Sequence, residues 1–481
     1  MDLPSIIQGG MGVAVSNWTL ARAVSRCGQH GVVSGTGLNV VLTRRLQLGD
    51  PEGDVRRALA AFPGRALVDR ILDEYFIEGG KAPSARYKEV PPFSLRTDPE
   101  LHGLNVVANF VEVYLAKEGG GASAGPVGIN YMAKIPFPNP SGIYGAMLAG
   151  VDTVFVGAGI PLEVPAMIDA LRRHADVEVR IRPEGSARTD EPKILRFSPA
   201  ELDLDLDRSQ PLARPRFVPI VSSHVLASTL LKRAEGAIDG FVIEGPSAGG
   251  HNAPPRGALT LNERGEPNYG PRDEVDFDAL RATGLPFWLA GSFHDASRYR
   301  EALALGASGI QVGTPFAFCR ESGVTTEIKR RVHDALANDD LEVLKDPRVS
   351  PTGFPFNVVR GIGLNEDEDL EADRKCDLGF LRHAYQTESG GINYRCPAAP
   401  KAFVQSGGDL DETRGKRCLC NALLATVGLG QVRDGVSEEP LVTAGNDVEL
   451  LRRLFARSTE YSASDVIDAL TVPAETAGSP A

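Results

Sequence analysis

The feature that most constrains the fold is a repeated alternation of short apolar, β-branched runs with segments of helical periodicity. Eight such runs occur, at residues 5–8, 31–34, 126–130, 152–156, 217–222, 240–244, 286–290 and 309–312. Short apolar runs separated by helices are typical of strands buried on both faces of a parallel sheet. Helical spacing is found at residues 17–27, 162–174, 224–235 and 294–305, and a glycine closes three of these segments.

Eight βα units predict a closed (β/α)8 TIM barrel, with an open doubly wound sheet as the alternative. In a barrel, the loops that carry function converge at the carboxyl ends of the strands. Glycine and polar residues collect at these ends, namely Gly9, Gly10, Met11, Asn130, Ser222, Gly249, Gly250, Gly291, Ser292, Gly313 and Thr314. The pairs after the seventh and eighth strands predict a phosphate held on backbone N–H groups. The alternative is that these glycines only form tight turns.

The segment DGFVIEGPSAGGHN, residues 239–252, is the most informative single stretch. A buried run ends at Glu244 and leads into a loop with Gly249, Gly250 and His251. Adjacent glycines let a flat ligand approach the backbone, and an imidazole titrates near neutral pH. His251 is therefore the candidate general acid or base. The alternative is a turn histidine that only orders the loop.

Five segments resemble, in the same order, the nitronate monooxygenase (2-nitropropane dioxygenase) family. They are IIQGGM at 6–11, GIN at 128–130, SAGGH at 247–251, LAGSF at 289–293 and IQVGTPF at 310–316. The related flavin-dependent enoyl-acyl carrier protein reductases share these segments, and five ordered matches are more specific than any one alone. The resemblance covers about residues 1–330. Where relatives usually carry two glycines after strand seven, this chain has Gly291 followed by Ser292.

The resemblance implies a bound FMN cofactor. By that resemblance, the residues against the flavin are Gly9, Gly10, Met11 and Asn130, and Gly249 and Gly250 allow its close approach. The residues that hold the phosphate are Gly291, Ser292, Gly313 and Thr314, with Gln311 nearby. Ser222 belongs to the same cofactor-binding set. The implied activity is oxidation of a nitronate or nitroalkane with dioxygen, with His251 as the acid/base group. The alternative is an FMN-dependent enoyl-thioester reductase that uses NAD(P)H on a carrier-bound polyketide or fatty acyl chain. A non-catalytic flavin-binding subunit is a further alternative.

The chain of 481 residues is longer than one barrel of about 250 residues requires. We predict an FMN-binding barrel at 1–340, with insertions at 36–125, 182–216 and 253–283 that form a lid or a partner surface. A C-terminal extension with helical segments at 421–428 and 447–455 is predicted at 341–470, and a disordered tail at 471–481.

Four of the six cysteines, Cys376, Cys396, Cys418 and Cys420, lie within about 45 residues of the extension. Clustered thiolates suit zinc or an iron–sulfur cluster, both of which take four sulfur ligands. The spacing lacks the paired C-x-x-C motifs typical of zinc sites. Free buried thiols in a reducing compartment are the alternative.

The net charge of −12 and the lack of a basic cluster exclude a nucleic-acid-binding surface. No run approaches 18 uninterrupted apolar residues, and the N-terminus lacks a basic, apolar leader. We therefore expect a cytoplasmic enzyme without a membrane partner. Its expected partner is a small-molecule or acyl-thioester substrate, and homo-oligomerisation stays open.

Overall fold

The structure is a computed structural model of the chain and describes residues 3–121, 123–187, 189–293, 295–364 and 374–472. Of the tail predicted at 471–481, Thr471 is the last residue of a helix and residues 473–481 lie outside the described residues, as does His294 at the start of the helix predicted at 294–305. The described strands are β1 (Ile6–Gln8), β2 (Gly31–Ser34), β3 (Val127–Met132), β4 (Thr153–Gly157), β5 (Val177–Ile181), β6 (Lys193–Phe197), β7 (Arg216–Val221), β8 (Phe241–Glu244), β9 (Phe287–Ala290), β10 (Gly309–Val312), β11 (Glu342–Asp346), β12 (Phe356–Arg360), β13 (His383–Gln386), β14 (Ile392–Arg395), β15 (Val432–Arg433) and β16 (Val436–Ser437).

Eight of these strands form one parallel sheet in the order β1-β10-β9-β8-β7-β4-β3-β2. The two edges meet, because Ile7 of β1 bridges in parallel to His30, directly before β2. The Gln8 N–H donates to the His30 carbonyl oxygen at 3.0 Å, and the His30 N–H donates to that of Ile6 at 3.1 Å. The sheet therefore closes in chain order, which confirms the predicted (β/α)8 barrel and excludes the open doubly wound sheet.

The described helices are α1 (Trp18–Arg26), α2 (Leu38–Gln47), α3 (Asp54–Ala60), α4 (Arg65–Tyr75), α5 (Pro99–Lys117), α6 (Asn139–Leu148), α7 (Val164–Leu171), α8 (His224–Arg233), α9 (Phe277–Arg281), α10 (Ala296–Ala304), α11 (Thr314–Ala317), α12 (Thr326–Ala337), α13 (Pro400–Gln405), α14 (Leu419–Thr426), α15 (Glu449–Arg457) and α16 (Ala463–Thr471). Polar caps set several starts. The Asn17 side chain accepts from the Leu20 N–H at 2.9 Å, and the Ser223 hydroxyl accepts from that of Leu226 at 3.2 Å. Gly28, at φ 76°, follows α1 in the left-handed conformation that ends many helices. None of the helices in the described ranges combines the length and apolar character needed to span a membrane.

The three predicted insertions differ in structure. Residues 36–125 hold α2 to α5, and α5 packs against α1 and α6 as the helix between β2 and β3. Much of this stretch is therefore part of the helical layer of the barrel. The second stretch, 182–216, contains β6, which pairs antiparallel with β5 just before it. In the third stretch, 253–283, an isolated antiparallel bridge joins Leu261 and Pro267. A lid or partner role for these segments stays a prediction.

The extension at 341–470 is helical but also contains antiparallel pairs. Strands β11 and β12, β13 and β14, and β15 and β16 each form a two-stranded pairing. Leu450, Leu451 and Leu454 of α15 are buried in the same apolar cluster as Ile310 of β10 and Phe316 of α11. The apolar face of α15 is thus intramolecular core, as its helical spacing indicates.

His30 is a buried histidine in the wall of the barrel. Its ring lies edge-on to Phe155 at a centroid distance of 5.2 Å, and neither ring nitrogen has a hydrogen-bond partner among the described residues. Burial, with a smaller contribution from the charge of Arg216, lowers the pKa of His30 from 6.5 to about 3. The folded protein therefore holds His30 neutral at pH values where the unfolded chain binds a proton.

We predict that His30 makes the fold acid-sensitive. Its pKa is lower in the folded state, so its contribution to stability is complete above about pH 6.5 and falls as the pH drops towards 3. One group of this kind changes the free energy of unfolding by at most about 1.4 kcal/mol per pH unit. Urea unfolding between pH 4 and pH 7, roughly the upper part of this window, should give a shallower pH dependence for His30→Leu. Equal slopes in both proteins would contradict the assignment.

Candidate functional site

A cavity of about 280 Å³ opens at the carboxyl ends of the barrel strands. Its wall contains most of the predicted site residues, namely Gly9, Gly10, Met11, Asn130, Gly249, Gly250, His251, Gly291, Ser292, Gln311, Gly313 and Thr314. Ser222 is not among the lining residues, and Ile220 lines the cavity from the same strand. The reason is that β7 ends at Val221 and the neighbouring Ser223 already caps α8, so the chain turns away at Ser222.

The loop after β1 lies directly against β3. The Asn130 side-chain amide donates to the Gly10 carbonyl oxygen at 3.3 Å. A Cβ on Gly10 would come within 2.3 Å of the Asn130 Cβ, so only glycine permits this approach. The Asn130 Oδ1 is buried and has no hydrogen-bond partner among the described residues. The site thus offers the buried Asn130 oxygen as an acceptor, next to the Gly10 backbone that lines the cavity.

The loop after β8 is held by the C-terminal extension. The Gly250 N–H donates to the Thr443 hydroxyl at 2.9 Å. A Cβ on Gly249 would come within 2.9 Å of the Ala444 carbonyl carbon. The Asn357 amide donates to the carbonyl oxygens of Ala248 and Ala444 at 3.1 and 3.0 Å. The glycine loop is therefore positioned by residues far along the chain.

The loops after β9 and β10 form the other side of the cavity. Gly291 and Ser292 have φ angles of 92° and 57°, both in the left-handed region that favours glycine. The Thr314 hydroxyl accepts from the Gly445 N–H at 2.7 Å. Residues 443–446 therefore join the loops after β8 and β10. Sequence analysis did not identify this segment, because its partners lie more than one hundred residues away in the chain.

His251 lies in the cavity wall with a defined partner on one ring nitrogen. Its Nε2 is 2.7 Å from the Ser350 hydroxyl, and its ring packs edge-on to Phe356 at a centroid distance of 4.8 Å. Burial, and secondarily the charge of Lys134, holds the pKa of His251 well below its usual value of 6.5. The imidazole is therefore neutral at neutral pH and can accept a proton.

Three more titratable groups interact with one another at this part of the site, and one of them, Lys134, also acts on His251. Glu244 lines the cavity, and burial raises its pKa to about 7 against the opposing charges of Lys345 and Lys134. Burial lowers the pKa of Lys134 to about 7 and that of Lys345 to about 8. The Lys345 ammonium donates to the Asn252 Oδ1 at 2.6 Å and to the Pro246 carbonyl oxygen. Sequence analysis did not identify the two lysines, because no local motif marks them.

The four cysteines of the extension lie in one small cluster. Cys396 and Cys418 are buried with Ala398, and Cys376 and Cys420 pack against them. The Cys376 and Cys396 side chains hydrogen-bond to each other, and Cys418 accepts from the Asn421 amide at 3.6 Å. None of the four forms a disulfide in the described part of the chain.

The predicted zinc or iron–sulfur site is therefore not supported. Across the described ranges, no group of three or more His, Cys, Asp or Glu side chains is arranged to hold a metal ion. The alternative of buried free thiols accounts for the observed packing. Of the four, Cys420 also lines the cavity.

Comparison with known proteins assigns the central part of the site. Residues 201–349 match the family model described as Nitronate monooxygenase. Over these residues the chain is similar to the nitronate monooxygenase family. The matched region spans β7 to β11 and includes the His251 loop. The family resemblance predicted from five short segments is thus confirmed.

The chain spans less than two thirds of the length of the curated relatives described here. It is 31% identical over 259 residues to the (3aS,4S,5R,7aS)-5-hydroxy-7a-methyl-1-oxo-octahydro-1H-indene-4-carboxyl-CoA dehydrogenase of Mycobacterium tuberculosis, covering 52% of this chain and 65% of the relative. It is 35% identical over 128 residues to the Nitronate monooxygenase of Pseudomonas aeruginosa, covering 27% of this chain and 31% of the relative. The structure of FabK from Thermotoga maritima aligns with a TM-score of 0.46 at 17% identity, covering 97% of this chain and 91% of FabK.

Proposed function

We propose that the chain is an FMN-dependent oxidoreductase that oxidises a nitronate or nitroalkane with dioxygen, with His251 as its acid/base group. The observation that carries this proposal is the neutral imidazole of His251 in the wall of a cavity at the carboxyl ends of the barrel strands. The histidine lies within the residues that match the family model. Active sites of TIM-barrel enzymes occupy this end of the barrel, which supports the placement.

The residues of the cavity fit FMN. The buried Asn130 Oδ1 has no partner among the described residues and suits an N–H donor of a flat ring system. Gly250 has a φ of 73°, and a Cβ there would meet open space, so the backbone of this loop faces the cavity without a side chain. Gly291, Ser292, Gly313 and Thr314 would hold the phosphate at the ends of β9 and β10. When bound, FMN takes electrons from the substrate and passes them to dioxygen.

The protein side chains supply the proton chemistry. Neutral His251 removes a proton from the carbon beside the nitro group, which converts a nitroalkane into its nitronate anion. The charged form of Lys134, which acts on His251, favours the resulting negative charge. Glu244, with a pKa raised to about 7, is partly protonated at neutral pH and repels that anion less than an ordinary carboxylate would.

The relative from M. tuberculosis favours a second candidate, an FMN-dependent reductase of an enoyl thioester. That protein is named as a dehydrogenase of a carboxyl-CoA compound, which is a thioester. In this candidate NAD(P)H supplies the hydride and His251 protonates the carbon next to the thioester carbonyl group. Both candidates use the same cavity, the same cofactor and the same histidine.

Anaerobic reduction separates the two candidates. The purified protein, loaded with FMN, is mixed under nitrogen with a nitronate, with NADH or with NADPH, and flavin absorbance is followed. Bleaching by the nitronate, with turnover on admission of oxygen, is the expected result. Rapid bleaching by NAD(P)H without reaction of the nitronate would replace the proposal by the reductase. Retained flavin that no reagent bleaches would favour a non-catalytic subunit.

We predict that Asn130→Ala weakens FMN binding. Losing one buried hydrogen-bonding partner costs about 1–3 kcal/mol, which corresponds to roughly 5-fold to 150-fold in the dissociation constant. Fluorescence titration of the apoprotein with FMN measures this change. Asn393→Ala, at an exposed position outside the cavity, is the matched control and should bind FMN like the wild type. Equal affinities in the two variants would remove Asn130 from the flavin site.

A further inference from the structure

Three side chains beyond His251 form a continuous hydrogen-bonded path. The Nε2 of His251 lies 2.7 Å from the Ser350 hydroxyl oxygen. That oxygen lies 2.8 Å from the Thr352 hydroxyl oxygen. The Lys134 ammonium donates to the Thr352 hydroxyl at 3.4 Å. The path therefore runs from the cavity wall to a half-buried amine.

We propose that Ser350, Thr352 and Lys134 form a proton relay that accepts the proton His251 takes from the substrate. This inference rests on the proposed function, because it specifies how the acid/base group of that reaction is regenerated. Ser350 and Thr352 lie just beyond residues 201–349, which match the family model. They act through His251 and are positioning residues, as is Lys134.

The relay balances one proton per turnover. The substrate proton moves to Nδ1 of His251, because Ser350 occupies Nε2, and the electron pair of the broken C–H bond stays on the substrate. The Nε2 proton passes to Ser350, the Ser350 hydroxyl proton passes to Thr352, and the Thr352 hydroxyl proton passes to the Lys134 amine. His251 is left as the neutral Nδ1–H tautomer and Lys134 becomes an ammonium, which then releases its proton to water. The starting state returns when both hydroxyls rotate back and the imidazole changes tautomer, losing the Nδ1 proton and regaining one at Nε2, with no net change in protons. In a reductase the same steps run in reverse.

The surroundings suit this path. Ser350 is fully buried, and its loop is fixed because Lys416 donates to the Ser350 carbonyl oxygen at 3.0 Å. The Lys134 ammonium lies 4.3 Å from the centre of the Phe354 ring, whose edge faces the His251 ring. The ring covers one side of the ammonium.

The charges facing the relay set its direction. Burial lowers the pKa of Lys134 to about 7, with Glu244 opposing the shift, so a large fraction of the amine is free near neutral pH. Lys345 interacts with Glu244. Lys416 lies beside Ser350 and adds positive charge at the His251 end of the relay. The pKa of His251 is lower than that of Lys134, so the proton moves from the imidazole towards the amine.

The first test needs neither cofactor nor substrate. In protein labelled with isotopic histidine, NMR measures how fast the His251 ring N–H exchanges with water, and a His251→Gln spectrum assigns the signal. Thr352→Val keeps the side-chain shape but removes the hydroxyl, and should slow this exchange at least about tenfold. Thr352→Ser keeps the hydroxyl and should restore fast exchange. Equal exchange rates in all three proteins would overturn the relay.

The second test uses the charge at the far end and does not depend on whether Thr352→Val folds. Lys134→Arg keeps the positive charge and the donor, but a guanidinium does not give up its proton and so cannot accept one. The relay predicts slow exchange in this variant, whereas a role in packing or charge alone predicts the wild-type rate. A wild-type rate in Lys134→Arg would overturn the proposal.

Turnover then separates failure of the relay from failure of the proposed function. A neutral nitroalkane must lose a proton, whereas a nitronate has already lost it. The ratio of the nitroalkane rate to the nitronate rate should therefore fall about tenfold in Thr352→Val and recover in Thr352→Ser. An unchanged ratio would overturn the relay. If wild-type protein turned over neither compound, the proposed function would fail while the exchange measurement still tested the relay.

Discussion

Replacing His251 with glutamine is expected to lower kcat for a neutral nitroalkane by about 10²-fold to 10⁴-fold, the usual contribution of a positioned acid or base. Glutamine retains a polar group beside Ser350 but has no titratable nitrogen. FMN binding should persist, since the predicted flavin contacts lie on other residues of the cavity wall. Steady-state oxygen consumption with a nitroalkane measures the loss.

A matched variant tests whether the loss is specific. His224→Gln removes another imidazole, at the start of α8, where its Nδ1 accepts from the Asp276 N–H at 3.0 Å, outside the cavity. We expect wild-type turnover in this variant. If His251→Gln also kept its kcat for the nitroalkane, the assigned acid/base role would be wrong.

The same histidine sets the acidic side of the pH profile. Its pKa is lowered from 6.5, so the neutral, active base persists below pH 6.5 and is lost only as the pH falls through that lower pKa. Changes in kcat/KM near pH 7 would then reflect the ionisation of Lys134 and Glu244, both of which have a pKa of about 7. Lys134→Arg should remove the part of the change near pH 7 that belongs to the lysine.

The barrel could be predicted because each strand carries its own signal. The runs at 31–34 and 309–312 match β2 and β10 at both ends, and the other six differ by one or two residues. Their apolar, β-branched composition depends only on burial on both faces of the sheet. Helix α5 was not distinguished from an insertion, because fifteen of its residues are buried and its apolar pattern has little periodicity.

The strand-end part of the site could be predicted for the same reason, whereas its partners could not. Gly250 and Thr314 lie in the segments that follow β8 and β10, so their position in the chain placed them at the cavity. Thr443 and Gly445 reach these residues from 193 and 131 positions away. Ser350 contacts His251 across 99 positions. Contacts of this kind depend on tertiary packing, which no local motif encodes.

The largest loss of stability is expected from Trp288→Ala. Trp288 of β9 is 1% exposed and packs inside the barrel with Ile7, Phe155 and Val242. Its indole N–H donates to the Pro4 carbonyl oxygen at 3.0 Å, which ties β9 to the chain just before β1. Truncating a buried tryptophan to alanine typically costs about 3–5 kcal/mol, because the surrounding core cannot fully close the cavity.

Trp288→Phe separates the ring from its hydrogen bond. Phenylalanine keeps most of the apolar volume but leaves the Pro4 carbonyl oxygen without this donor, so a smaller loss of about 1–3 kcal/mol is expected. Urea unfolding followed by far-ultraviolet circular dichroism compares the variants without relying on indole fluorescence. Trp18→Ala, at a half-buried position where Arg22 lies 4.3 Å from the ring centre, should cost less than Trp288→Ala. If the two alanine variants were equally destabilised, packing inside the barrel would not be the main interaction that stabilises β9. The loop that starts at Gly291 would then depend on other contacts.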